Sequence, residues 1–102
     1  MAADCRKRQV PVLMIIHPAF QREGWEQYSL GEIHDLLHDI ANVNDIPALD
    51  LLDAFKKIPS EKLCINASGE GWFDPWHPNA FGHRVIAQTL KSHILTNPDL
   101  IE

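Results

Sequence analysis

Long hydrophobic runs are missing from this 102-residue chain. A membrane-crossing helix needs about 20 consecutive apolar residues. The longest run here, Val10 to Ile16, is far shorter and suits a buried strand. Met1 to Arg8 contains no apolar stretch of the kind a secretory signal requires. Cysteine is scarce: Cys5 and Cys64 are the only two, and they form no Cys-x-x-Cys pair. That excludes a disulfide-built scaffold, and two reduced thiols are expected. Basic charge is also short. Nine Lys and Arg stand against 14 Asp and Glu, giving a net charge of −5. Nucleic-acid binders carry a basic surface, so that class is excluded. The one dense basic cluster, Arg6-Lys7-Arg8, reads as a solvated helix end. Asn66-Ala67-Ser68 fits the glycosylation sequon, which has meaning only in a secreted protein.

Apolar residues are plentiful at 45% and come in clusters, the composition of a packed chain rather than a disordered one. The length fits one small domain or part of a larger one. Ala2 to Gln9 reads as the end of a helix. Val10 to Ile16 is β-branched and uncharged, which predicts a strand covered on both faces. His17-Pro18 ends it, and a loop runs to Tyr28. Ser29, with Glu32 three residues on, predicts the capped start of a helix. Its inward face would carry Leu30, Ile33, Leu37, Ile40 and Ala41, and Asn44-Asp45 would close it. Ile46 to Leu52 predicts a second strand, leading to a turn or short helix at Asp53 to Lys57. A long loop spans Pro59 to Pro78. Asn79 then caps a last helix from Ala80 to about Leu95, with His83, Ile86, Ala87, Leu90 and Ile94 inward and Asn97-Pro98 as its stop.

Strand, helix, strand, helix is the order of an α/β layer with a parallel sheet. Two parallel strands cannot cover both edges of so apolar a run as Val10 to Ile16. The expected fold class is therefore α/β, with residues 1–102 forming the C-terminal portion of a larger domain.

The chemistry concentrates in Asp74-Pro75-Trp76-His77-Pro78-Asn79, followed by Gly82-His83. Two prolines stiffen this turn. A carboxylate three residues before an imidazole can accept one ring N–H, leaving the other nitrogen to take a proton from a nucleophile. Asp74 and His77 thus supply two members of a Ser-His-Asp triad. Asp74-x-x-His77-Pro78-Asn79 with Gly82-His83 resembles the last block of the SGNH/GDSL hydrolases. The preceding order of strand, helix, short strand ending in Asp50-Leu51-Leu52 and loop is similar to that family's C-terminal half. The resemblance implies a three-layer α/β/α sandwich, flavodoxin-like, with a parallel sheet of about five strands. It also implies an ester hydrolase that needs no metal or organic cofactor. The family's nucleophile lies in a Gly-Asp-Ser motif, and its oxyanion donors lie in further blocks. Neither is present here: Ser29, Ser60, Ser68 and Ser92 lack that context. Only Asp74 and His77 carry over as catalytic positions.

Other candidates weigh less. His34-Asp35-Leu36-Leu37-His38 places two imidazoles at i and i+4, like the zincin helix motif. Asp replaces Glu, and no third ligand follows at that motif's spacing, so two solvated helix histidines are expected and no metal. His17 closes a strand at the end where sites gather. His83 reads as a packing residue. Trp72, Phe73 and Trp76 either line an acyl or sugar pocket or anchor the loop. Gly69-Glu70-Gly71 lacks the Lys-Ser/Thr of a phosphate loop.

The sequence therefore points to an ester hydrolase of the SGNH type without its nucleophile half. Its substrate would be a small-molecule or acylated ester. Its sheet would need an N-terminal half or self-association to be completed. The alternative is a truncated, non-catalytic α/β module acting by association.

Overall fold

A computed structural model describes residues 10–21, 24–66 and 73–97 of the chain. The expected first helix, the basic cluster, Ala67-Ser68 of the sequon, Gly69-Glu70-Gly71, Trp72 and Pro98 lie outside the described residues. The described residues form a mixed α/β structure with two small sheets and three α-helices. β1 (Met14–Ile16) pairs in parallel with β2 (Ala48–Asp50), in the register Met14↔Ala48, Ile15↔Leu49 and Ile16↔Asp50. Helix α1 (Gly31–Val43) crosses between them, and a single helical turn, α2 (Leu52–Phe55), follows β2. β3 (Cys64–Asn66) and β4 (Phe73–Pro78) form an antiparallel pair, and α3 (Ala80–Thr96) closes the described chain.

One cluster joins the two sheets. Phe20, Leu51, Phe55, Leu63 and Cys64 are buried together, with Trp25, Leu49, Ile58, Phe73, Val85 and Ile86 packed around them. Phe20 stacks on Phe55 with ring centroids 5.5 Å apart. Trp25 is pinned by its indole N–H, which donates to the Ile58 carbonyl at 2.8 Å. Both sheets thus rest on an aromatic group drawn from the segment after β1 and from α2.

Several expectations change. The strand expected over Val10 to Ile16 contracts to its last three residues, and it is not covered on both faces: Ile15 is 43% exposed while Ile16 is buried. Among the described residues β1 has one strand neighbour, and Pro11 has no N–H to offer a ladder. The cap of α1 is Leu30, without a side-chain hydrogen bond, so the Ser29–Glu32 capping box does not form. Ser29 instead accepts a hydrogen bond from the Gln21 side-chain amide at 3.0 Å. The inward face of α1 also differs. Ala41 is buried and Leu37 half-buried, but Ile33 and Ile40 join Leu36 and Val43 in an exposed apolar stripe, and His34 takes an inward position. Asn44-Asp45 does close the helix. Asp45 adopts a left-handed φ of 54°, which Asp tolerates better than most residues.

The loop expected from Pro59 to Pro78 contains the β3–β4 pair, so the Asp/His turn lies on a strand. The cap at Asn79 stands, its side-chain oxygen accepting the Gly82 N–H at 2.8 Å. The buried stripe expected on α3 is thinner: His83 and Ala87 are exposed, and Ile86, Leu90 and Ile94 are half-buried. The helix is held mainly at its first turns. Gly82 explains why. It is the one fully buried residue of α3, and a β-carbon there would collide with the Leu63 carbonyl and sit 2.8 Å from the Pro78 β-carbon.

Replacing a helix-interior glycine by alanine ordinarily stabilises by roughly 0.5–1 kcal/mol. Here the sign reverses. Gly82→Ala is expected to destabilise by roughly 1–3 kcal/mol, the cost of overpacking. Chemical denaturation of the variant beside wild type measures it, and an unchanged or raised midpoint would refute the close approach.

Candidate active site

The Asp74–His77 segment is an excursion from the β3–β4 ladder. Strand partners flank it at Asn66↔Phe73 and Cys64↔Pro78, so four residues, Asp74 to His77, stand opposite the single residue Ile65. Prolines at 75 and 78 supply no ladder donors, which favours such a departure. Its far end is fixed by Asn79. The Asn79 amide donates to the Leu63 carbonyl at 2.8 Å, and its side-chain amide donates to the Lys62 and Cys64 carbonyls at 3.0 and 3.2 Å. The excursion is also held from the segment after β1, where the Phe20 N–H donates to the Pro75 carbonyl at 2.8 Å. That contact sets the turn beside the carboxyl end of β1, where ligands of open parallel sheets bind.

Within the turn every carboxylate oxygen is used. Asp74 Oδ1 accepts the Trp76 N–H at 2.9 Å and the His77 N–H at 3.2 Å. Asp74 Oδ2 accepts the His77 Nδ1–H at 2.8 Å. This hydrogen-bond pattern makes His77 the Nδ1–H tautomer, with Nε2 as the acceptor. The Trp76 amide first, and the His77 ring with it, hold the Asp74 carboxyl below its ordinary value, while partial desolvation acts the other way. Asp74 is therefore ionised at neutral pH. The side chain of His77 is 70% exposed and that of Asp74 20%. The imidazole is open to solvent, and the carboxylate bonded to it is sheltered. Trp76 is exposed, so it does not anchor the turn, whereas Phe73 packs against the core.

His17 lies at the end of β1. Its Nδ1–H donates to the Pro18 carbonyl at 2.7 Å, and its ring meets Phe20 and Phe55 edge-on. Burial lowers its pKa; the Pro18 hydrogen bond opposes this, and the nearby His83 adds to it. Both histidines thus stand near the first turn of α3, neither bonded to the dyad in a described contact.

A second polar group was not foreseen. His34 is buried, not solvated. Its Nδ1–H donates to Asp50 Oδ2 at 2.9 Å, and its Nε2 accepts the Tyr28 hydroxyl at 2.8 Å. The Tyr28 oxygen in turn accepts the Ala19 N–H at 3.1 Å. His38, half-exposed, donates from Nε2 to the same Asp50 oxygen at 3.1 Å. The sequence signal was the i, i+4 spacing itself, which sets both rings over one point of β2. The group borders a cleft of about 540 Å³ that also reaches Asp35, Asp53 and Lys56. Among the described residues no three His, Cys, Asp or Glu side chains form a metal-holding cluster. Burial raises the Asp50 pKa, but the Leu52 amide and the two imidazoles together outweigh it and leave the carboxyl below its ordinary value.

No family model, curated protein or solved structure matches this chain. Among the described residues no helix is long and apolar enough to cross a membrane.

A carboxyl whose pKa is lower folded than unfolded stabilises the fold above its unfolded value, and that contribution fades as pH falls through the folded one. Asp50→Asn is thus expected to cost roughly 1–3 kcal/mol at pH 7, the penalty for unmaking buried hydrogen bonds. The gap between variant and wild type should narrow below about pH 4. Urea unfolding across pH 2–7 tests this, and a gap independent of pH would remove Asp50 from the linkage.

Proposed function

We propose that Asp74 and His77 are the acid–base pair of an SGNH-type ester hydrolase, and that this chain is the C-terminal portion of its three-layer α/β/α sandwich. The observation carrying the reading is the 2.8 Å hydrogen bond from His77 Nδ1 to a carboxylate, with the His77 side chain left open to solvent. The parallel β1–α1–β2 unit and the Asn79-capped helix after the turn support it. In this reading His77 Nε2 takes the proton of a serine hydroxyl as that oxygen attacks the ester carbonyl. It then returns the proton to the departing alkoxide. Asp74 fixes the tautomer and stabilises the imidazolium formed between the two transfers. The serine comes from a Gly-Asp-Ser block that these 102 residues do not contain. Ser60 is buried with its hydroxyl accepting the Gln21 N–H at 3.1 Å, a structural use.

A second reading, a non-catalytic module acting by association, draws on the exposed stripe Ile33, Leu36, Ile40 and Val43. Apolar patches of this kind favour contact with another surface.

Two measurements separate them. The purified chain is expected to hydrolyse an aryl acetate no faster than its His77→Ala variant, because a single oxyanion donor alone is worth roughly 10²–10³ in rate and the nucleophile is absent. A serine within this chain labelled by a fluorophosphonate would overturn that. In a longer form bearing Gly-Asp-Ser, His77→Ala should lower kcat by about 10³-fold or more, and Asp74→Asn by as much or less. Normal turnover in that His77→Ala variant would end the hydrolase reading.

A further inference from the structure

We propose that Tyr28 and His34 are positioning residues for the Asp74–His77 pair, acting through the segment that follows β1. The inference rests on the reading of that pair as an acid–base dyad, but its structural content is independent of turnover.

The argument follows the hydrogen bonds. The dyad lies on an excursion whose ladder contacts are at its two ends, so its middle depends on the Phe20–Pro75 bond. Phe20 is placed by two means. Its ring is buried against Phe55, which fixes position. Its amide direction depends on the neighbouring peptide units, and those are fixed by side chains: Ala19 N–H on the Tyr28 oxygen at 3.1 Å, and Gln21 N–H on Ser60 Oγ at 3.1 Å. The Tyr28 hydroxyl is oriented in turn. It donates to His34 Nε2 at 2.8 Å, and its ring meets the imidazole edge-on with centroids 5.3 Å apart. His34 is oriented by Asp50, whose two oxygens lie 2.9 and 3.0 Å from Nδ1. Asp50 is itself set by β2 pairing and by the Leu52 N–H at 2.9 Å. A continuous polar path thus runs from β2 through α1 to the backbone of the dyad.

The direction of each bond follows from the one before it. With Nδ1–H given to Asp50, His34 Nε2 can only accept, so the Tyr28 proton points at it and the Tyr28 oxygen presents its lone pairs to Ala19. Removing the hydroxyl leaves the Ala19 amide without this acceptor, and the segment 19–20 is free to rotate. A rotated Phe20 amide releases Pro75. Asp74, one residue earlier, then loses the backbone setting in which its Oδ1 meets two amides and its Oδ2 meets His77.

The test reads the two ends of the path in the intact chain by nuclear magnetic resonance. In Tyr28→Phe, amide exchange at Phe20 should rise about fivefold, the effect of losing one hydrogen bond. The ring 15N shifts of His77, which report the Nδ1–H tautomer that Asp74 fixes at 2.8 Å, should move toward those of a tautomer mixture. The amides of Leu51 and His83, bonded to Ile16 and Asn79, should keep their rates, which a general loss of stability would not allow. Trp25→Phe, which removes the indole bond to Ile58 in the same aromatic group, should leave the His77 signal in place. If Tyr28→Phe does not fold, His34→Gln carries the same expectation. An unchanged Phe20 rate, unchanged His77 ring shifts, a uniform rise at all amides, or the same shift change in Trp25→Phe would each overturn the proposal. Failure of ester hydrolysis in a longer form would not.

Discussion

Phe20 is the residue on which the arrangement depends. Its ring is one of the most buried in the chain, and its N–H reaches across to the strand of the candidate dyad. Among the described residues the two sheets share no strand, so no ladder there fixes one relative to the other. What fixes them is the cluster around Phe20 and Phe55, and the single backbone bond to Pro75 that grows out of it. Burying a phenylalanine side chain is worth roughly 1.5–3 kcal/mol, more than a lone hydrogen bond contributes. The apolar contact therefore sets the distance, and the hydrogen bond sets the direction. Gly82 does the same service on the other side, letting α3 close onto Leu63 so that Asn79 can hold the end of the turn.

Local chemistry was legible in the sequence wherever a few adjacent residues decide the outcome. Asn79 caps α3 because its side chain meets an amide three residues on. Asp74 meets His77 because two prolines and an Asp-to-amide bond leave the turn few other shapes. The parallel pairing of β1 and β2 followed from the alternation of strand and helix. What failed was partner-dependent. Ser29 has the right spacing for a capping box, yet Gln21 engages its hydroxyl. Ile33 and Ile40 have core spacing, yet among the described residues they stay 51% and 43% exposed. β3 was missed because Cys64–Asn66 is three residues long and earns its identity only from Phe73 to Pro78.

The histidines show the same division. His34 and His38 read alike: same helix, same neighbours, one turn apart. One is buried and the other half-exposed because α1 leans its N-terminal half on Tyr28 and Asp50. Their spacing matched a metal motif, and both rings meet the same Asp50 oxygen. Asp50 supplies this shared acceptor from a strand 12 residues after His38.

The openness of His77 bears on how its chemistry would be realised. A charge pair in water is worth about 1 kcal/mol at 4 Å and several times that in a medium of lower polarity. The pair meets bulk solvent through His77, whose side chain is 70% exposed, while Asp74 is sheltered. Their bond orients the ring at little cost, but the imidazolium formed during proton transfer would gain only modest stabilisation from Asp74 there. A surface carrying the nucleophile would change both quantities at once. It would place a hydroxyl on Nε2 and exclude water from the pair, raising the worth of the Asp74 charge when the imidazole becomes cationic. In the hydrolase reading the pair is thus an oriented base, and the power of that base depends on what closes over it.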